Sequence, residues 1–123
     1  MALTPERKVK QQVVALLKEA GAYYFFPSAN GLGRSGIPDI IVCYRGRFVG
    51  IECKAGKGQT TALQERELKR ISEAGGTALV IREDDIALVT STLNLLRALH
   101  DTETSICFRS AGDSCFAGED QRD

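Results

Sequence analysis

The sequence has neither the long apolar segment of a membrane protein nor that of a secreted one. No apolar run approaches the roughly 20 residues that a bilayer-spanning helix needs, which argues against a membrane partner. The first residues, MALTPERKVKQQ, include no apolar stretch like that of a secretory signal. We therefore expect the protein to act in the cytoplasm, which would be that of the host cell if the source is a virus.

Side chains that bind zinc are also scarce. The chain has one histidine, His100, and none of its four cysteines (Cys43, Cys53, Cys107 and Cys115) forms a C-x-x-C pair. Zinc sites are normally built from such groups, so a zinc protein is disfavoured. In a reducing compartment we expect the cysteines to be free thiols.

Charge is balanced over the whole chain but not along it. The net charge is zero, yet residues 1–58 carry nine Lys/Arg and four Asp/Glu, whereas residues 59–123 carry seven and twelve. Chance clustering and an acidic end would explain this, but a basic face that binds an anionic partner would explain it as well.

The 123 residues predict one α/β domain with the order α-β-β-β-α-β-α. Thr4 and Pro5 begin the first helix, and the capping box Thr61-x-x-Gln64 begins the second, with Leu63, Leu68 and Ile71 on its apolar side. Strands are predicted over 22–27, 38–44, 47–55 and 77–82, the last one buried and parallel to a neighbour. A last helix starts near 84–85, as one piece or as two split near 90–91. The domain is assigned to 1–100, and the polar residues 101–123 are predicted to be a flexible tail.

The stretch PDIIVCYRGRFVGIECK predicts a hairpin that carries charges among apolar residues. If Arg45 and Gly46 form a two-residue loop, Asp39 lies opposite Glu52, and Lys54 points to the same face of the sheet. A loop of three residues would instead send the two acids to opposite faces, unless a bulge restored the alignment.

Two facing carboxylates need compensation. About 5 Å apart in a medium of effective dielectric near 20, they repel by ~3 kcal/mol. Lys54 supplies one positive charge, and a divalent ion such as Mg²⁺, which prefers carboxylate oxygen ligands, would supply two. The simpler alternative is a structural Glu52–Lys54 pair beside a solvated Asp39.

The motifs GIPDIIV and IECK resemble the PD-(D/E)xK signature of restriction-endonuclease-like nucleases. Together with PER, NGLGRSGIPD, GRFVGIECKAGKGQTTALQ and AGGTALVIR, they resemble the virus-type replication-repair nuclease (VRR-NUC) domain over residues 4–98. The resemblance implies an α-β-β-β-α-β core in which a small mixed sheet is flanked by helices. It also implies a homodimeric, Mg²⁺- or Mn²⁺-dependent endonuclease that acts on DNA.

The resemblance also implies roles for individual residues. Asp39, Glu52 and the backbone carbonyl of Cys53 would bind the metal, and Lys54 would be the catalytic lysine. Glu6, on the first helix, would be catalytic and would also bind the metal, directly or through water. Asp39 and Glu52 would also be catalytic, as would Gln64, which would lie beside the site. Taken alone, Glu6 is also explained by the helix dipole and Gln64 by capping.

The loops on either side of the hairpin are candidates for DNA contact. Glycines would let a phosphate backbone approach closely, and Arg34 could bind phosphate or lie free in solvent. GKGQT does not have the spacing of a phosphate-binding P-loop, so a nucleotide-binding protein is disfavoured. The predicted DNA-binding residues are Asn30, Gly31, Arg34, Ser35 and Lys57.

We see no separate module that would read a base sequence, so we expect DNA shape to provide specificity. Compact members of the resembled family are similar to junction-resolving homodimers, and a four-way junction is close to two-fold symmetric. The main hypothesis that this resemblance implies is a structure-specific nuclease for branched DNA, with Holliday junctions as the first candidate and flaps as the second. The alternative from another class is a catalytically silent nucleic-acid-binding module with the same fold.

Overall fold

The computed structural model describes residues 3–28 and 34–110, with side chains up to residue 103. It contains three α-helices and four strands in the predicted order, with one 3₁₀ turn at Glu83–Asp85 before the last helix. The elements are α1 (Pro5–Ala20), β1 (Tyr23–Phe25), β2 (Ile40–Tyr44), β3 (Arg47–Cys53), α2 (Ala62–Glu73), β4 (Thr77–Ile81) and α3 (Ile86–Ser110).

Helix α1 has the ends that its sequence predicts. The side chain of Thr4 accepts a hydrogen bond from the Arg7 N–H at 3.2 Å, and Pro5 follows as the first helical residue. Gly21 ends the helix in the left-handed conformation, with φ of 78°. The residues that α1 buries lie one turn apart along a single face: Val9, Val13 and Leu17.

The sheet has the order β1-β2-β3-β4, with β1, β2 and β3 antiparallel and β4 parallel to β3, as predicted. Tyr44 pairs with Arg47, so the loop between β2 and β3 has two residues. Both loop residues have positive φ, 53° at Arg45 and 79° at Gly46, as a type I′ turn requires. The predicted hairpin register is therefore confirmed.

The helices cover the two faces of the sheet unequally. Alternate residues of β2 and β3 form a core with α1 and α3, and this core includes Ile40, Val42, Val49 and Ile51. Helix α2 packs against the other face, where Gly50 leaves space for the side chain of Ile71. A Cβ atom built on Gly50 would lie 2.7 Å from Ile71 Cδ1, so this helix packs very closely on β3.

One prediction about burial is wrong. Strand β4 is half-buried from Thr77 to Val80, and it lies at the edge of the sheet, where it has only one neighbouring strand. On the predicted apolar side of α2, Leu68 and Ile71 are half-buried, whereas Leu63 is 44% exposed. The buried position of this helix is instead a charged residue, Glu67.

Helix α3 is continuous through 90–91 and runs to Ser110, so it includes the first ten residues of the predicted tail. Two ion pairs connect this extension to the β2–β3 turn: Arg45 to Asp101, at 3.7 Å, and Arg47 to Glu103. Residues 111–123 lie outside the described part, so the domain division itself stays a prediction. Cys43 and Cys53 are free thiols, as expected. Among the described residues, no helix is both long and apolar enough to span a bilayer.

Gly36 provides a test of how the loop before β2 packs on α2. Its φ is 87°, and a Cβ atom there would lie 2.5 Å from the carbonyl oxygen of Leu63. Gly46 has a similar φ of 79°, but its Cβ would meet nothing within 4 Å. We expect Gly46→Ala to lower the free energy of unfolding by about 1 kcal/mol and Gly36→Ala by more than about 2 kcal/mol, measured in urea. Equal losses would show that backbone conformation alone matters at Gly36.

Candidate active site

Asp39 connects the two strands of the hairpin through its side chain. It lies just before β2, and the pairing of Ile40 with Ile51 places it across from Glu52. One carboxylate oxygen, Oδ2, accepts a hydrogen bond from the backbone N–H of Cys53 at 2.9 Å. The loop before β2 is thereby held against the end of β3.

Glu52 is the buried acid of the site, with only 2% of its surface exposed. Its Oε2 atom accepts a hydrogen bond from Gln64 Nε2 at 2.9 Å and lies 3.5 Å from Lys54 Nζ. Lys54 is itself mostly covered, with 12% of its side chain exposed. The predicted placement of Lys54 beside Glu52 is therefore what the structure shows.

Gln64 combines the two explanations that its sequence position allows. Its Oε1 atom accepts a hydrogen bond from the Thr61 N–H at 2.9 Å, which completes the capping box of α2. Its Nε2 atom donates a hydrogen bond to Glu52 Oε2. One amide therefore caps a helix and orients a buried carboxylate.

The third acid comes from α1. Glu6 is exposed in the first helical turn, where the helix dipole favours a negative charge. One carboxylate oxygen from each of Glu6, Asp39 and Glu52 lies within 4.8 Å of the other two. The dipole alone would not bring Glu6 to this point. A simple Glu52–Lys54 pair does not explain the three-acid cluster either.

The electrostatics show that this cluster has too much negative charge for its environment. Burial, followed by the charge of Asp39, raises the pKa of Glu52 from 4.5 to about 7, although Lys54 acts in the opposite direction. Burial and the same two acids raise the pKa of the Cys53 thiol to about 12.

A hard divalent cation fits this arrangement because it would neutralise the excess charge and take carboxylate oxygens as ligands. Glu6, Asp39 and Glu52 are the side chains that could hold it. The role of the Cys53 carbonyl as a further ligand stays a prediction.

Two adjoining cavities lead to the acids. One, of about 380 Å³, is lined by Arg34, Ser35, Phe26 and Asp39 among others, and the second, of about 300 Å³, is lined by Glu6 and Asp39. Lys10 lines both. Lys10 was not among the predicted site residues, although its position one helical turn after Glu6 indicates that the two share a face of α1.

Of the predicted DNA-binding residues, Arg34 has a partner inside the protein. Its Nε and Nη2 atoms donate to Oε1 of the buried Glu67, at 3.3 and 3.1 Å. These bonds, with help from Arg70 and Arg66, hold the pKa of Glu67 below its usual range despite its burial. Arg34 still lines the cavity beside Asp39, so phosphate contact stays a prediction for it.

Ser35 lies in the same cavity as Asp39. Lys57 is exposed in the turn after β3, and the structure brings it to none of the cavities described above. Asn30 and Gly31 lie outside the described residues.

Comparisons with known proteins agree with this geometry. No protein-family model matches the chain. Two solved structures are similar over most of their length: a "VRR_NUC domain" with a TM-score of 0.60 and 23% identity, and a "VRR_NUC domain protein" with 0.53 and 19%. The alignments cover 75% and 79% of this chain and 97% and 88% of those chains. The chain has the VRR_NUC fold. The resemblance found in the motifs and the restriction-endonuclease-like α/β class are thereby confirmed.

A curated phage protein is also similar in sequence. It is named "Putative nuclease p44", from Acyrthosiphon pisum secondary endosymbiont phage 1, and is 29% identical over 96 residues. The match covers 76% of this chain and the whole of that protein. Together with the VRR_NUC fold, this likeness supports a nuclease.

The raised pKa of Glu52 predicts how stability depends on pH without a divalent ion. Protonation of Glu52 is easier in the folded state, so its contribution is complete below pH 4.5 and is lost as the pH rises through about 7. We expect the free energy of unfolding to fall by up to about 3 kcal/mol over this interval in the wild type and less in Glu52→Gln. Urea unfolding in chelator measures this, with the exposed Glu73→Gln as control.

The same variant tests the cation. At pH 8 we expect Mg²⁺ or Mn²⁺ to raise the melting temperature of the wild type and of Glu73→Gln more than that of Glu52→Gln, because the ion would bind the folded state alone. An identical response in all three proteins would contradict a cation at Glu52.

Proposed function

We propose that this protein is a metal-dependent endonuclease that hydrolyses phosphodiester bonds in branched DNA, with Holliday junctions preferred and flaps second. The observation that carries this proposal is the convergence of Glu6, Asp39 and Glu52 within 4.8 Å, with Lys54 beside Glu52. Neither helix capping nor core packing requires three carboxylates at one point, and such a cluster is costly without a cation.

Mg²⁺ or Mn²⁺ would be held by Asp39 and Glu52, with Glu6 as a direct or water-mediated ligand and the Cys53 carbonyl as a further one. The bound ion would supply stabilisation of charge in the transition state and a lowered pKa for water. The hydrogen bonds from Gln64 to Glu52 and from Cys53 to Asp39 keep both carboxylates in place. These contacts preorganise the site before the substrate arrives.

Lys54 is the group that would act on the substrate. Its ammonium is 3.5 Å from Glu52, is largely covered and carries a positive charge at the edge of the acid cluster. From there it would donate hydrogen bonds to a phosphate oxygen or orient the attacking water. Both roles would favour the transition state, in which negative charge on the phosphate oxygens increases.

Symmetry favours a homodimer on a junction. A four-way junction has approximate two-fold symmetry, so two copies would place one site at each of two equivalent strands.

A candidate dimer surface is one side of α3, where Leu88, Leu95 and Leu99 are all at least 40% exposed. Their spacing of seven and four residues places them on one side of the helix. We infer that such a dimer acts in the cytoplasm.

The decisive experiment compares cleavage with binding. Purified protein is incubated with labelled four-way junction, flap and linear duplex in Mg²⁺ or Mn²⁺, beside Lys54→Ala and Lys69→Ala. We expect the junction to be cut fastest by the wild type and by Lys69→Ala, whose lysine is exposed on α2. Lys54→Ala should lose at least about a hundredfold in rate and keep most of its DNA affinity.

Two outcomes would contradict the proposal. If the folded wild type binds branched DNA but cuts none of the substrates in either metal, the protein is the silent DNA-binding module. If Lys54→Ala cuts as fast as Lys69→Ala, cleavage does not depend on this site.

The proposed dimer is tested by introducing a negative charge at the centre of its proposed interface. Leu95→Glu places a carboxylate at the most exposed leucine of α3, where it would have to be desolvated between two copies. We expect sedimentation equilibrium to show a dimer for the wild type and a monomer for this variant. Thr90→Glu, an exposed change on the far side of the same helix, should stay dimeric. A monomeric wild type would overturn the dimer alone.

A further inference from the structure

A third cavity extends from the site along α1 and is lined by cations. Its volume is about 680 Å³, and its polar lining consists of Arg7, Lys10, Gln11 and Lys18, with Phe26 on the opposite side. It shares Lys10 and Phe26 with the 380 Å³ cavity that reaches Asp39. The acid cluster and this groove are therefore adjoining parts of one surface.

The spacing of these side chains suits an extended anion. Arg7, Gln11 and Lys18 lie on one side of α1, and the eleven residues from Arg7 to Lys18 correspond to about 16 Å of helix. This matches the axial rise of about five base pairs of duplex DNA. Within the part of the chain that the structure describes, no acidic residue lines this groove, although Glu6 lies at its end beside the site.

Lys10 is held in place at the junction between the groove and the site. Its Nζ atom lies 4.3 Å from the centre of the Phe26 ring, a cation–π contact between two side chains that both line the groove and the 380 Å³ cavity. Since Lys10 lines all three cavities, a phosphate bound by it would be next to the one at the acids.

We propose that the α1 groove, made of Arg7, Lys10, Gln11 and Lys18, binds the phosphate backbone of a duplex DNA arm as it leaves the active site. Phe26 is a positioning residue that holds Lys10 towards the phosphate next to the one that is cut. This inference rests on the proposed nuclease function, to which it adds the path of the substrate.

The aromatic side chains favour a duplex over a single strand. Proteins that bind single strands stack bases on exposed aromatic rings. Among the described residues that line the groove, the one aromatic ring is Phe26. It is 49% exposed, but the Lys10 ammonium lies over the ring, and the centre of the Tyr24 ring lies 5.9 Å from its centre. Tyr23 and Phe25 are exposed, but neither lines the groove. Contact with the backbone alone is typical of duplex binding without sequence preference.

The test measures binding without divalent ions, so that cleavage plays no part. Fluorescence anisotropy gives the affinity for a labelled duplex, a labelled four-way junction and a labelled single strand between roughly 50 and 200 mM salt. We expect Lys10→Ala and Lys18→Ala each to weaken binding about threefold to tenfold and to lower the salt slope by about 1. Lys8→Ala is the matched control, because Lys8 is exposed on the same helix but lines none of the three cavities.

The role of Phe26 is tested by a double-mutant cycle. Phe26→Leu should weaken binding as much as Lys10→Ala, the two changes together should cause no further loss, and Phe26→Tyr should keep wild-type affinity. Losses that add up would show that Phe26 does not act through Lys10.

Equal losses for Lys8→Ala and Lys10→Ala would overturn the groove, because they would reflect only the overall charge. Losses confined to a labelled single strand would overturn it too. Its failure is distinct from that of the nuclease function. If the wild type cuts DNA but Lys10→Ala binds it with unchanged affinity, only the role of the groove is contradicted. If the groove variants lose affinity as expected but the wild type cuts no substrate, only the nuclease function is contradicted.

Discussion

The register of the β2–β3 hairpin is the constraint on which the site depends. A two-residue turn at Arg45 and Gly46 pairs Ile40 with Ile51 and therefore sets Asp39 across from Glu52. A slip of one residue would send Glu52 into the apolar core and turn its neighbours towards α2, so core packing and the acid pair enforce the same alignment. The apolar residues between the charges are what hold the charges in place.

Several groups of the site are also part of the scaffold. The carboxylate of Asp39 accepts a backbone hydrogen bond from Cys53, and Gln64 caps α2 while it binds Glu52. Glu67, a buried acid on α2, likewise binds Arg34 and so connects α2 to the loop that precedes β2. This sharing places the acids with little freedom, as a catalytic site requires.

Features determined by neighbouring residues could be predicted from the sequence. The helix caps, the hairpin register and the closeness of Asp39, Glu52 and Lys54 depend on turn chemistry and strand alternation, which are local. What was missed depends on which elements meet. Lys10 lies at the site because α1 packs beside Phe26, and Arg34 binds Glu67, which lies on another element.

The exposure of β4 and the end of α3 both depend on tertiary position. An apolar strand sequence does not indicate whether a further strand will cover its edge. Asp101 and Glu103, in the polar segment after residue 100, form ion pairs with Arg45 and Arg47 at the hairpin turn. Both results follow from tertiary position, which no periodicity in the sequence encodes.

The origin of the three acids along the chain has a consequence for folding kinetics. Asp39 and Glu52 belong to one hairpin, whose contacts are local and form readily, whereas Glu6 joins them only when α1 docks on the sheet. The full repulsion between the carboxylates therefore arises only in states in which α1 is docked. A cation that requires all three acids would bind only those states, so it would slow the undocking of α1 without acting on the isolated hairpin.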